Sequence, residues 1–149
     1  MMYIRIMNRA KFSFLLSVIL FIPVFSGPMT LQNLIGQWQG PNYMFTMNGS
    51  YKATVVIMAN QYESFVFNGV YTLEKDSILR ININEMKSCT PGEIYSKRGF
   101  TKTSSSRFVF SAELKTEKTK TLLLKPKEII IDGNNSDGYF EPLLTLAKK

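Results

Sequence analysis

The chain has 149 residues, a formal net charge of +7, a hydrophobic content of 45%, one cysteine and no histidine. This length predicts one domain, and the apolar content is enough for a substantial core. The lack of histidine excludes Ser-His-Asp catalysis, Cys-His catalysis and histidine-ligated metal sites, and one cysteine cannot form an intramolecular disulfide or a paired-cysteine metal site. These exclusions weigh against enzymes generally, though not against catalysis by carboxylate, lysine or tyrosine side chains. We expect a protein that is not an enzyme and that needs no metal or cofactor.

Residues 1–26 have the three parts of a secretory signal peptide. The first part carries three basic residues and no acidic one: Arg5, Arg9 and Lys11. An apolar run of eleven residues, Phe12–Ile22, comes next, and it is shorter than the roughly 20 apolar residues that a membrane-spanning helix needs. Val24 and Ser26 suit the small-residue positions of a cleavage site, so we predict cleavage after Ser26 and a periplasmic or extracellular protein. Cleavage would lower the net charge from +7 to +4, because three cations are removed.

In chain order, the predicted elements are short strands joined by turns. Leu31–Ile35 is predicted to form one helical turn, and beyond it apolar and polar residues alternate, with breaks every eight to twelve residues. Asn48-Gly49 and Asn68-Gly69 are predicted hairpin turns, because a type I′ turn needs positive φ at both central residues. Nine or ten short antiparallel strands predict an all-β meander, either an up-and-down barrel or a sandwich. No linker or change in composition divides residues 27–149, which we expect to form a single domain.

Alternation assigns one face of each strand to the interior. In the predicted strand Ile78–Asn84, Leu79, Ile81 and Ile83 share one face, and the residues between them are polar. The residues predicted to point inward on the other strands are Phe45, Met47, Tyr51, Val55, Ile57, Phe65, Phe67, Tyr71, Leu73, Phe108 and Phe110. A register error of one residue would turn a whole strand inside out, so these positions test the assignment of each strand.

Three short motifs near the start of the predicted domain follow one another in a characteristic order. They are Leu34-Ile35-Gly36-Gln37-Trp38, Gly69-Val70-Tyr71-Thr72-Leu73 and, after a charged turn, Ser77-Ile78-Leu79-Arg80-Ile81. Together they resemble the bacterial lipocalin-like domains, small secreted barrels with an L-x-G-x-W opening and a G-x-Y-x-L strand before a polar turn. The resemblance covers roughly residues 31–83 and implies a lipocalin-like barrel of about 8–10 strands. In such a barrel Trp38 would plug one end of the core, and Gly36 would allow close packing of the backbone.

Three further segments are assigned to structure rather than to chemistry. Cys89 is expected to be a free thiol, with an intermolecular disulfide as the alternative in a secreted protein. Asp132–Gly138 is rich in oxygen-bearing side chains but lacks the glycine and glutamate positions of a calcium loop, so a plain turn is expected. Lys97–Phe100 matches only the opening of an RNA-binding strand motif, and we expect no nucleic-acid partner.

Two functions from different classes remain after these exclusions. The first is a secreted or periplasmic binding protein that holds a small apolar ligand or lipid inside the barrel, against six aromatic residues: Tyr51, Phe65, Phe67, Tyr71, Phe108 and Phe110. Of these, Tyr51 and Tyr71 would orient a polar headgroup. The second is an envelope protein-interaction module or a secreted inhibitor whose core is filled by side chains. An eight-stranded barrel fits both, because its interior is just wide enough to be filled or to hold one small ligand.

Overall fold

The structure, a computed structural model, describes residues 29–149. The predicted signal peptide, residues 1–26, lies outside the described residues. Within them the strands are β1 (Gly36–Gln39), β2 (Tyr43–Met47), β3 (Lys52–Met58), β4 (Ser64–Glu74), β5 (Ile78–Cys89), β6 (Thr101–Thr116), β7 (Lys120–Ile131), β8 (Asn134–Asn135) and β9 (Leu144–Lys148). One helical turn, α1 (Leu31–Leu34), precedes β1, and short 3-10 turns lie at Lys75–Ser77, Pro91–Glu93 and Asp137–Tyr139.

The strands form a closed antiparallel barrel. From β1 to β7 each strand pairs with the next one along the chain, and β9 then pairs with both β7 and β1. This closes a ring of eight strands, while β8 adds only a two-residue pairing to β7. The predicted all-β meander is therefore confirmed, and it closes as a barrel rather than packing as a sandwich.

The main hydrophobic core fills the inside of this barrel. The cross-strand register continues one face from strand to strand: Phe45 lies opposite Val55, and Val55 lies opposite Phe67. Eight residues predicted to point inward are buried in this core, namely Phe45, Met47, Val55, Ile57, Phe67, Tyr71, Phe108 and Phe110. Phe65 and Leu73 are half-buried and pack against it. Alternation therefore predicted the inward face correctly, with one exception.

Tyr51 is that exception, and the prediction that it points inward is wrong. It ends the loop Asn48–Tyr51 between β2 and β3, has a φ of 64° and is 56% exposed. The Asn48 side chain shapes this loop, because its Oδ1 accepts hydrogen bonds from the backbone N–H groups of Ser50 and Lys52, both at 3.0 Å. Positive φ thus falls on Tyr51 and not on Gly49, so the connection is longer than the predicted type I′ turn.

The second predicted hairpin turn, Asn68-Gly69, lies inside a continuous strand. β4 runs through both residues, and its register with β5 shifts between them, which marks a β-bulge. A Cβ atom on Gly69 would lie 2.0 Å from the backbone oxygen of Asn82. Glycine is required here because β5 approaches too closely for any side chain, and the turn prediction is therefore wrong.

α1 closes one end of the barrel. Leu34 and Trp38 are fully buried, and the Trp38 indole Nε1 donates a hydrogen bond to the backbone oxygen of Leu34 at 2.9 Å. Gly36 lies between them with a φ of 132°, and a Cβ atom there would lie 2.9 Å from Cε of Lys148 on β9. The opposite end, here called the mouth, is formed by the β1–β2, β3–β4 and β5–β6 loops and by the segment between β7 and β9.

Candidate ligand-binding site at the barrel mouth

Aromatic side chains fill the barrel interior below the mouth. The ring of Phe67 lies 4.9 Å from that of Phe108, and Phe140 lies 5.1 Å from Phe108 and 5.3 Å from Phe110. These are edge-to-face contacts, the arrangement that aromatic quadrupoles favour. Phe140 comes from the segment between β8 and β9 and closes the interior from the mouth side, where it is only 7% exposed.

Phe140 was not among the residues predicted to point inward. It follows the turn-forming segment Asp132–Gly138, and its neighbour Tyr139 is equally aromatic, so alternation over so short a stretch does not decide which of the two is buried. The pair of adjacent aromatic residues after a run of turn formers was the signal available in the sequence. The structure buries Phe140 and leaves Tyr139 39% exposed.

Two cavities open at the mouth, on either side of Tyr139. The larger has a volume of about 610 Å³ and is lined by residues that include Tyr43, Ile57, Met58 and Asp137. The smaller has a volume of about 390 Å³, and its lining includes Phe67, Met86, Ile131 and Asp132. Phe65 and Tyr139 line both cavities. The Tyr139 ring therefore separates the two spaces, in edge-on contact with Phe65 at 5.6 Å between ring centroids.

Tyr43 holds the segment that carries Tyr139 and Phe140. Its ring stacks on Phe140 at 5.6 Å, and its hydroxyl oxygen accepts a hydrogen bond from the backbone N–H of Glu141 at 3.1 Å. Burial raises the pKa of Tyr43; the hydrogen bond from Glu141 partly opposes this rise, and the Glu141 charge adds to it. Tyr43 therefore remains neutral at physiological pH and acts as an amphipathic wall of the larger cavity.

The six residues predicted to bind a ligand are divided between three places. Phe65 and Phe67 line the mouth cavities, whereas Phe108 and Phe110 lie deeper in the packed core. Tyr71 lies toward the α1 end, where its hydroxyl donates a hydrogen bond to the backbone oxygen of Asn48 at 2.7 Å. The exposed Tyr51 ring packs beside it, with 6.4 Å between centroids. The two tyrosines are therefore far from the mouth, and the Tyr71 hydroxyl already has a partner.

No protein-family model matches this chain, and neither a curated protein nor a solved structure is significantly similar to it. Among the described residues, no helix is long and apolar enough to span a membrane. Within residues 29–149 there is also no group of three or more carboxylate or thiol side chains placed to hold a metal ion. Cys89 is a half-buried free thiol.

Proposed function

We propose that this chain is an exported, non-enzymatic binding protein that holds a small apolar ligand at the mouth of a lipocalin-like barrel. The observation that carries the proposal is the larger mouth cavity of about 610 Å³. Its volume lies within the range of roughly 300–1,000 Å³ that is usual for small-molecule pockets. Its walls combine apolar side chains such as Ile57 and Phe65, which would contact the body of such a ligand, with polar ones such as Asn135, which would fix its orientation.

The ligand sits at the mouth rather than deep in the barrel. Phe67, Phe108, Phe110 and Phe140 pack edge-to-face across the interior and leave little room for a guest molecule. Space remains above them, on both sides of the Tyr139 ring. Two of the six aromatic residues predicted to bind a ligand, Phe65 and Phe67, belong to this site.

The lipocalin-like identity and the export are supported by separate features. The resemblance rests on the L-x-G-x-W motif, and the buried Trp38 beside α1, at the start of an eight-stranded closed barrel, fits it. Export to the periplasm or the outside of the cell rests on the predicted signal peptide, residues 1–26. N-terminal sequencing of the native protein tests export, because it should begin at Gly27 or within a few residues of it.

Binding is tested with delipidated protein and the neutral fluorescent dye N-phenyl-1-naphthylamine, followed by competition with lipids from the source envelope. Phe65→Arg should weaken dye binding about tenfold or more, because it places a charge between the two cavities. Phe65 is half-buried and tolerates the change better than the fully buried Phe67. Val70→Arg is the matched control, since Val70 is on the same strand and is 40% exposed. A folded wild-type protein that binds no dye contradicts the proposal.

A protein-interaction module, such as an envelope factor or a secreted inhibitor, is the second candidate. The filled interior favours it, and so do two strongly exposed tyrosines on mouth loops: Tyr62 is 75% exposed and Tyr95 is 78% exposed. Tyrosine is enriched in the contact surfaces of proteins. Native mass spectrometry of the protein purified from its own cells separates the two candidates, because it detects either a bound small molecule or a bound protein.

A further inference from the structure

A separate cavity lies on the outer wall of the barrel, beneath the loop between β5 and β6. Its volume is about 410 Å³. We call it the outer groove and define it by six of its lining residues: Thr54, Asn68, Glu85, Tyr95, Lys97 and Phe100. Phe65 and Tyr139, which line both mouth cavities, do not line it. The outer groove is therefore a different site from the one proposed at the mouth.

A buried lysine holds the loop that forms one wall of this groove. Lys87 is only 6% exposed, and its Nζ donates hydrogen bonds to the backbone oxygens of Glu93, Ser96 and Arg98 at 2.8, 2.6 and 3.2 Å. The same Nζ lies 4.6 Å from the centroid of the Phe100 ring. A buried ammonium needs such partners, so these contacts fix the loop against the barrel.

The loop is also held by a small apolar cluster on the outside of the barrel. Met44, Val56 and Val66 are buried there, and Ile94 and Phe100 from the loop pack against them. A groove whose wall is fixed in this way is formed before a ligand arrives, which reduces the ordering cost of binding.

The floor of the outer groove is a row of hydrogen-bonding side chains across three neighbouring strands. Thr54 on β3 lies opposite Asn68 on β4, which lies opposite Glu85 on β5. Thr54 Oγ1 donates to Asn68 Oδ1 at 2.8 Å, and Asn68 Nδ2 donates to Glu85 Oε1 at 2.9 Å. These contacts leave one N–H of Asn68 and one oxygen of Glu85 to bind a ligand, so the floor offers a donor beside an acceptor.

The opposite side of the groove is aromatic. Tyr95 is 78% exposed and Phe100 is half-buried, and both line the cavity. The charged side chains of the lining are Glu85 and Lys97, one of each sign. The groove therefore suits an uncharged molecule that has hydroxyl groups along one edge and a flat C–H face on the other side.

We propose that the outer groove binds a neutral saccharide. Sugar hydroxyl groups both donate and accept, as the Asn68 and Glu85 side chains require, and the C–H face of a pyranose ring packs on aromatic rings such as Tyr95. The site goes beyond the apolar ligand proposed for the mouth, and the chain would hold the two ligands independently.

The test is saturation-transfer NMR of the full chain with maltotriose, cellotriose and N,N′,N″-triacetylchitotriose, each titrated separately. At least one trisaccharide should give a saturable signal. Tyr95→Ala and Glu85→Gln should each weaken that binding about tenfold, because the first removes the stacking surface and the second changes an acceptor. Tyr62→Ala is the matched control, because Tyr62 is an equally exposed tyrosine on another mouth loop, and it should leave binding within about twofold.

Three results would overturn the inference. One is a folded protein that gives no signal with any of the three sugars, and the second is loss of binding in Tyr62→Ala but not in Tyr95→Ala. The third is binding of digalacturonate in place of the neutral sugars, which would mean that Lys97 selects an anion. Dye binding at the mouth should be unchanged in Tyr95→Ala. The dye and sugar titrations therefore test the mouth site and the outer groove separately.

Discussion

Trp38 connects α1 to the end of the barrel, and its removal should be costly. Its side chain is fully buried and donates the hydrogen bond to Leu34. We expect Trp38→Ala to lower the free energy of unfolding by about 3–5 kcal/mol, the range for truncation of a large buried aromatic residue. Urea titration followed by circular dichroism measures this, and a loss below about 1 kcal/mol would show that Trp38 does not anchor the fold.

Tyr71 should make stability fall at alkaline pH. Burial raises its pKa, and the neighbouring Tyr51 adds a smaller electrostatic contribution. A folded-state pKa above the unfolded value of about 10 means that the stabilisation is complete below about pH 10 and is lost as pH rises through the raised pKa.

Tyr71→Phe is the variant that tests this pH dependence. It should lose about 1 kcal/mol at neutral pH, because the hydrogen bond from the Tyr71 hydroxyl to the Asn48 oxygen is lost, and its stability should decline less steeply above about pH 10. Urea titrations from neutral to alkaline pH compare the two proteins. Some pH dependence of stability should remain in the variant, because the pKa of Tyr43 is also raised. If the stability of both proteins declined in parallel with pH, Tyr71 would not be the source of the alkaline loss.

At the scale of single residues, the sequence predicted burial wherever a residue lies well inside a strand. Phe67 and Phe108 follow the alternation of their strands, so their inward direction was readable. Tyr51 also fitted the pattern, but the side chain of Asn48 reshapes the loop that contains it. Phe140 lies outside any strand, and only its contacts with rings from distant strands explain its burial.

At the scale of elements, the two Asn-Gly dipeptides have different roles and should respond differently to the same substitution. Gly69→Ala should destabilise the protein by about 3 kcal/mol or more, since its Cβ would collide with the Asn82 backbone. Gly49→Ala is the control: its Cβ would be no closer than 3.9 Å to Ile35 Cδ1, and its φ is not positive. We expect a change below about 0.5 kcal/mol there. Thermal unfolding of both variants measures the difference, and equal losses would refute the bulge.

The sequence could not distinguish these two dipeptides. Both present the same residues between apolar runs, and a type I′ turn is the usual outcome of that pattern. The difference comes from the neighbouring strand. Because β5 pairs with β4 on both sides of Gly69, the predicted turn is a β-bulge within one strand. The residues before and after Asn68-Gly69, which a turn would divide into two strands, are for this reason one strand, β4. The two cavities at the mouth had no local signal in the sequence either, since they depend on where the segment between β8 and β9 lies.

At the scale of the whole molecule, β9 completes the barrel and should be essential to it. Leu146 is fully buried between β7 and β1, whereas Thr145 on the same strand is exposed. We expect Leu146→Ala to cost about 2–5 kcal/mol and Thr145→Ala to change stability by less than about 0.5 kcal/mol. Both variants should unfold in one transition in urea. A separate early transition in Leu146→Ala would mean that β9 is only a peripheral strand.

The barrel was predictable as a whole because its connections are local. Strands that follow one another with short turns pair with their neighbours, so the order β1 to β7 needed no long-range information. Predicting how the barrel closes did need long-range information. The sequence allowed a sandwich as well, and only the pairing of β9 with both β7 and β1 selects the ring.

The closure of the barrel by β9 has a consequence for folding during synthesis on the ribosome. β1 is the first barrel strand to be translated and β9 is the last, yet Trp38 lies opposite Lys148, and the backbone N–H of Lys149 donates to the Gln37 oxygen at 2.9 Å. While translation proceeds, β1 and β7 each keep one edge without a partner, and edges of this kind favour association with other chains. The native barrel cannot form until β9 has left the exit tunnel. A nascent chain therefore stays open until β9 has been translated, which gives chaperones time to engage it before it closes.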